Sequence, residues 1–319
     1  MSLILHPLHI KDQFRAHQCM MSTVLGGQTP LATWAFPPHY MWKNVLNYSW
    51  TEVNGWWCLF AEYADGLFMP LPPLGPSPGI GSPSSGSLHD VLGQVMTMME
   101  AHNKGSQVTR IENIPRELEE VIRPWGYSLT QNDSHYLYQT ADLVQMKANA
   151  YKSTRAAYNR FIRTHRLRVA PYRIMDRDGC LALFDRWVHQ TEEIPVPQVG
   201  PHGHIARIMV REAGSAHRIA LQEYRELGLT GHVVWVDGSI KAYAFGYPRS
   251  REVFCFLLEV ADRSITGLAP YLFREFCRTI QQYPLINTMS DSGLPSVART
   301  KHAYRPTQLV SNFIAHPMR

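Results

Sequence analysis

The sequence has no C-x-x-C pair, and its five cysteines (Cys19, Cys58, Cys180, Cys255 and Cys277) are scattered through mostly apolar runs. That spacing excludes a zinc site of the usual kind and a disulfide framework, and it predicts reduced, buried thiols. No run approaches the roughly 20 apolar residues of a membrane helix. The N-terminus also lacks a basic stretch followed by a long apolar segment, so no signal peptide is expected. The expectation is a soluble, cytoplasmic protein. A G-x-S-x-G turn is missing too, which leaves no sign of a nucleophile elbow. His202-Gly203-His204 sits in a Pro/Gly loop without a neighbouring acid, and no metal site is expected.

Negative charge is missing from one stretch in particular. Between Asp142 and Asp176 there is no acidic residue, against eight Lys or Arg. With Asp142 as N-cap and no Pro or Gly before Pro171, the periodicity predicts a helix. At about 100° per residue, Leu143, Met146, Ala150, Tyr151, Ala157, Tyr158, Phe161 and Ile162 fall on an apolar side. Lys152, Arg155, Asn159, Arg163 and Arg166 fall on a neighbouring stripe. Cations that face only each other lose the i,i+4 pairs that stabilise a solvated helix. Two readings remain open: a solvated basic face, or a surface for a phosphate-bearing partner such as nucleic acid, a nucleotide cofactor or a lipid head group.

What is present is an ordinary globular composition, 45% hydrophobic and 18% charged over 319 residues, enough for one large or two medium domains. In the first half, WTEVNGWWCLFAEYADGLFMPL reads as strands, with Asn54-Gly55 as a type I′ hairpin turn and Asp65-Gly66 as a second turn. A Pro/Gly/Ser-rich loop follows over 70–87, either a mobile surface loop or a lid over substrate. Then come a helix at 88–102, a strand in QVTRIENIP, a helix in PRELEEVIRPWG and a strand in HYLYQT. After the basic helix, RLRVAPYRI reads as a strand, and 177–191 and 203–227 as helices. Strands return in HVVWVDGSIKAYAFGYPRSREVFCFLLEVAD, where Asp237-Gly238 repeats the hairpin device. A helix over GLAPYLFREFCRTIQQ follows. The order strand, turn, strand, helix thus recurs, which predicts two α/β (α+β) units: residues 1–141, a basic linking helix at 142–167, and residues 168–319.

Three blocks carry a resemblance. They are WTEVNGWWCLFAEYADGLFMPLPPLG, YLYQTADLVQMKANAYKSTRAAYNRF and NTMSDSGLPSVARTKHAYRP. Over roughly residues 5 to 316 the chain resembles the phosphatidylglycerol lysyltransferase C-terminal family, long described as a domain of unknown function. Tyr151, Ser153, Arg155, Asn159, Arg160 and Phe161 match its middle block. Asn287, Asp291, Gly293, Leu294, Lys301, Tyr304 and Pro306 match its closing motif, and Glu259 and Asp262 also fit. Two departures stand out: Thr154-Arg155-Ala156 replaces a Lys-Arg-Asn triplet, and Met289-Ser290 replaces an acidic pair. The resemblance implies two tandem units related to Gcn5-type N-acetyltransferases (GNAT), each a mixed, mostly antiparallel sheet flanked by helices. It also implies kinship with enzymes that move an amino acid from aminoacyl-tRNA to a lipid.

Acyl transfer requires a group to take the acceptor's proton and donors for the developing oxyanion. Glu259, at the end of an apolar strand, is the candidate base, or else makes a structural hydrogen bond. Asp291 is a second candidate, or an Asx turn. Lys301 is a candidate for oxyanion or phosphate stabilisation, or a solvated lysine. Lys152, Arg155, Asn159, Arg163 and Arg166 are the candidate donor-binding residues. A GNAT coenzyme A site has a Gln/Arg-x-x-Gly-x-Gly/Ala turn before a helix N-terminus. Here Arg263–Ala269 has a single glycine, one residue displaced. Coenzyme A therefore ranks below aminoacyl-tRNA as donor, and no resident cofactor is expected. The leading expectation is an acyltransferase acting with the tRNA acceptor end on a small molecule or lipid head group. The alternatives are a coenzyme A-dependent N-acyltransferase and a non-catalytic binding module of the same fold.

Overall fold

The computed structural model describes residues 4–23, 27–75, 86–147, 149–192 and 203–317. In chain order the elements are β1 (His6–Pro7), α1 (Gln13–Ser22), α2 (Phe36–Tyr40), β2 (Asn47–Val53), β3 (Trp56–Tyr63), β4 (Gly66–Phe68), α3 (Leu88–Asn103), β5 (Ile111–Pro115), α4 (Arg116–Ile122), β6 (Ser128–Gln131) and β7 (His135–Gln139). The chain continues through α5 (Thr140–Gln145), α6 (Lys152–Thr164), β8 (Leu167–Pro171), α7 (Arg177–Glu192), α8 (Gly203–Gln222), β9 (Thr230–Val236), β10 (Ser239–Pro248) and β11 (Val253–Ala261). It closes with α9 (Leu268–Thr279), β12 (Leu285–Asn287), α10 (Pro295–Ala303), β13 (Gln308–Val310) and β14 (Asn312–His316).

Two compact units result, Met1–His135 with Val310–Arg319, and Tyr136–Leu309. In the first, β1-β2-β3-β4 form one sheet and β5-β14-β6 another, and a parallel bridge from Met69 to Ile111 joins the end of β4 to β5. Its core gathers Trp56, Cys58 and Phe60 of β3 with Val91, Val95 and Met99 of α3. The methionines of α3 therefore fill the core. In the second unit the sheet order is β8-β9-β10-β11-β12-β7-β13. Its one parallel pairing given by register is β11 with β12.

Both units thus repeat one order. Four strands come in sequence, a fifth lies parallel after a helix (α3 or α9), and a sixth comes from elsewhere in the chain. That sixth strand is β14 in the first unit and β7 in the second. The hairpin turns repeat as well. Asn54 and Gly55 have φ of 51° and 81°, and Asp237 and Gly238 have 51° and 86°. Two successive positive φ values define the type I′ turn that matches strand twist. Asp65-Gly66 turns differently, with positive φ at Gly66 only.

The single basic helix expected from Asp142 is in fact two helices. Asp142 lies inside α5, whose N-cap is Gln139, and α5 stops at Met146 in the left-handed conformation, φ 48°. A short 3-10 turn over Asn149–Tyr151 leads into α6. Guanidinium groups stabilise the break by satisfying carbonyls at the end of α5. Arg274 Nε donates to the Val144 carbonyl at 2.9 Å, and Arg155 Nη1 donates to that of Met146. Neither helix is a free linker. Leu143, Tyr158 and Phe161 belong to the second unit's core with Leu268, Leu272 and Phe276 of α9. Ile162, expected on the apolar side, is 41% exposed.

All five cysteines are free, and all but Cys19 are buried. Among the described residues, no helix is long and apolar enough to cross a membrane. The core of the 70–87 loop and His202 lie outside the described residues.

Candidate functional site

The site grows from an irregularity in β11. Glu259 pairs with Ala244 and Leu258 with Phe245, but Gly246 pairs with Phe256, leaving Leu257 as an extra residue. Side chains alternate along a strand, so the bulge puts Glu259 on the same face as Phe254 and Phe256, the face covered by α9. Without it, Glu259 would point to the opposite face. Gly246 makes the bulge possible: a β-carbon there would lie 2.3 Å from the Cys255 carbonyl oxygen.

A second irregularity opens this face. Strand β12 pairs only with Val253–Cys255, the first third of β11. Past Asn287 the chain turns away, with Met289 at φ 63° and its N–H donating to the Asn287 side chain at 2.7 Å. Among the described residues, the second half of β11, including Glu259, has no strand partner on that side.

Glu259 is exposed to water, yet burial pushes its carboxyl up to about 7, the Lys301 cation working against the rise. The side chain keeps exposed surface while the protein packed around it still penalises its charge. Water reaches the carboxylate, but the surrounding protein leaves little of it to solvate the charge. Ala244, Cys277 and Tyr304 are its neighbours from β10, α9 and the end of α10. The negative charge of Glu259 adds to burial in raising both the Cys277 thiol and the Tyr304 hydroxyl. Both groups stay protonated beside it.

Lys301 is brought to this cluster but is committed elsewhere. Its ammonium donates to the carbonyls of Thr288, Met289 at 3.1 Å and Ser290 at 2.7 Å. An ammonium has three donors, so the lysine clamps the turn after β12. Burial lowers its pKa to about 8, partly offset by Asp291 and Glu259. Asp291 is similarly engaged. One oxygen accepts the Tyr136 hydroxyl at 2.5 Å, and the other accepts the Gly293 N–H at 3.0 Å in an Asx turn. Asp262, next to the site, is saturated: Lys241 Nζ at 3.0 Å, Ser264 Oγ at 2.6 Å and Gln190 Nε2 at 3.2 Å all donate to it. Burial acts to raise its pKa, but these bonds more than offset that and hold the carboxyl well below its usual range.

Of the sequence-chosen acids and cation, Glu259 alone has an accessible carboxylate without a protein hydrogen bond among the described residues. Sequence reasoning missed Tyr136 and Tyr138. They alternate in β7, and their hydroxyls bond Asp291 and, at 2.9 Å, the Lys301 carbonyl. The Tyr-x-Tyr spacing was the available signal, since it places both rings on one face.

The stripe residues divide. Lys152, Asn159, Arg163 and Arg166 are exposed, whereas Arg155 is half-buried against the end of α5. Helix α6 also closes the start of α9. A β-carbon on Gly267, at φ 93°, would lie 3.0 Å from Phe161 Cβ and 3.2 Å from the Ala157 carbonyl oxygen.

A mixed, mostly antiparallel sheet with one parallel step, flanked by helices, defines a GNAT-like α/β protein. The phosphatidylglycerol lysyltransferase C-terminal family model matches residues 35–316, and the chain belongs to that family. A conserved protein of unknown function from Bacteroides thetaiotaomicron has a similar structure, with a TM-score of 0.80 at 22% identity, over 99% of this chain and 100% of that one. L-PGS from Bacillus licheniformis is similar with a TM-score of 0.57 at 17% identity, over 86% of this chain and 85% of that chain. No curated protein matches. The family and fold support a transferase of the acyltransferase type.

Proposed function

We propose that the second unit transfers an aminoacyl group from aminoacyl-tRNA to an amine or hydroxyl acceptor, a small molecule or a lipid head group. The observation that carries this reading is Glu259: an exposed acid without a protein hydrogen bond among the described residues, raised to about 7, on the half of β11 that β12 leaves unpaired. A base is most effective when its pKa lies near the working pH. Glu259 takes the proton of the acceptor as its nitrogen or oxygen attacks the ester carbonyl. Unpaired β11 amides are the donors at hand for the oxyanion. When the tetrahedral intermediate collapses, the ester C–O bond breaks and the proton held by Glu259 passes to the departing ribose oxygen.

The start of α9 supports aminoacyl-tRNA over coenzyme A as donor. Coenzyme A pyrophosphate would need the exposed N–H groups of that helix start. Phe161 and Ala157 of α6 crowd it instead, which favours a donor held on the outer, cationic side of α6. Lys152, Arg163 and Arg166 are available for phosphates there, with Asn159 as a neutral neighbour, and Arg155 supports the helix.

Small-molecule and lipid extracts incubated with the protein and a pool of charged tRNA test the reading by mass spectrometry. New aminoacyl adducts that vanish with Glu259→Gln are expected. Adducts formed from acyl-coenzyme A instead would establish the coenzyme A alternative. Adducts with neither donor would leave a binding module.

A further inference from the structure

The positive surface does not end with α6. Lys152, Arg160 and Arg163 of the helix are exposed, and so are Arg166, just before β8, and Arg168 within it. None of these five makes an ion pair among the described residues. β8 is the outer strand of the second unit's sheet. Arg166 precedes the strand by one residue, and it and Arg168 line the same cleft.

That cleft has an aromatic floor. Arg168 pairs across the ladder with Trp235, and its guanidinium lies 3.6 Å from the indole centroid. The cleft around the pair is about 310 Å³ and is lined by Arg166, Leu167, Arg168, Trp235 and Gly238. The acid at its rim, Asp237, is occupied: its carboxylate accepts the Arg166 N–H at 3.2 Å and contacts His165 Nδ1 at 3.3 Å. Its charge acts on Arg166, and two arginines against one acid leave the cleft positive.

We infer that this cleft is a nucleobase-stacking site for single-stranded RNA, with the flanking phosphates held by Arg163 and Arg166. A guanidinium resting on an indole presents a flat, positive second face, and bases stack on such planes whatever their sequence. Cation–π contact with Trp235 holds the plane in place before ligand arrives. An unstructured acidic peptide would use the charges but not the plane, which is why RNA is the partner that fits. The inference rests on the aminoacyl-tRNA reading for its biological sense, since an acceptor end is single-stranded. Its evidence is separate and lies wholly in binding.

Fluorescence anisotropy of a short labelled single-stranded RNA with the full chain provides the test, over a range of salt. Arg168→Lys keeps the charge and loses the plane. It should weaken binding about 5- to 150-fold, the equivalent of one base stack, while the salt slope stays the same. Arg163→Gln and Arg166→Gln should each flatten the slope by about 0.7. Circular dichroism of each variant verifies folding, and exposed side chains make loss of fold a minor risk. Unchanged affinity in Arg168→Lys, or binding to anionic phospholipid vesicles without binding to RNA, would overturn the inference. RNA binding lost in these variants from a protein that never transfers an aminoacyl group would refute the enzymatic reading and leave the stacking site standing.

Discussion

Gly267 and Phe161 approach so closely that a β-carbon on the glycine would sit 3.0 Å from the β-carbon of the phenylalanine. The contact joins the start of α9 to the middle of α6 and rests on a backbone with φ 93° at Gly267. Gly267→Ala adds both conformational strain and the crowding, at about 1–3 kcal/mol for a non-glycine residue held there. Denaturant unfolding should show a lower midpoint. An unchanged midpoint would mean that α6 does not press on α9.

Arg155 and Arg163 look alike in sequence and should behave differently. Arg155 Nη1 caps the Met146 carbonyl at the break between α5 and α6, whereas Arg163 is exposed. Arg155→Gln is predicted to lower stability by about 1 kcal/mol, the usual worth of one such bond. Arg163→Gln should leave thermal unfolding unchanged. Equal effects in the two variants would contradict this division of roles.

Lys301→Met should act on the fold. It removes the donor shared by the Thr288, Met289 and Ser290 carbonyls, and an acceptor left unsatisfied costs about 1–3 kcal/mol. The expected signature is an early unfolding transition with donor affinity retained at low temperature. Loss of donor affinity in a variant of unchanged stability would restore Lys301 as a phosphate or oxyanion group.

Asp262 and Glu259, three residues apart, should have opposite pH signatures. The Asp262 carboxyl is held low, so it stabilises the folded state above the usual carboxylate range, and that stability is lost as pH falls through and below it. Asp262→Asn should therefore be less stable than the parent at neutral pH, with the difference shrinking in acid. The Glu259 carboxyl is raised to about 7. The folded state then binds the proton more tightly than the unfolded chain between the ordinary Glu range and about 7, and stability falls as pH rises through that window. Glu259→Gln should match the parent in acid and exceed it above neutrality. Parallel stability curves for Glu259→Gln and parent across that window would refute the raised pKa.

Much of the fold could be read because local chemistry fixed it. Asn54-Gly55 and Asp237-Gly238 tolerate two positive φ values in a row, so the hairpins were visible, and with them the repeat. The sixth strands were not, because β14 joins β5, and β7 joins β12, across long stretches of sequence. The break at Met146 was hidden for another reason: a left-handed methionine carries no sequence mark, and guanidiniums from Arg155 and Arg274 make it tenable. At the site, residue type singled out Glu259, Asp291 and Lys301. Their roles depended on a bulge and on how many carbonyls one ammonium meets, which only tertiary structure determines.

In the proposed reaction Glu259 is the base of an aminoacyl transfer. Its most direct test is the pH dependence of kcat/KM for transfer from charged tRNA, in the parent and in Glu259→Gln. The parent should show an acid limb near pH 7, where Glu259 ionises. The variant should lose about 10²–10⁴ in rate, with that limb abolished. A Glu259→Gln protein that transfers at the parent rate with the same acid limb would contradict that role.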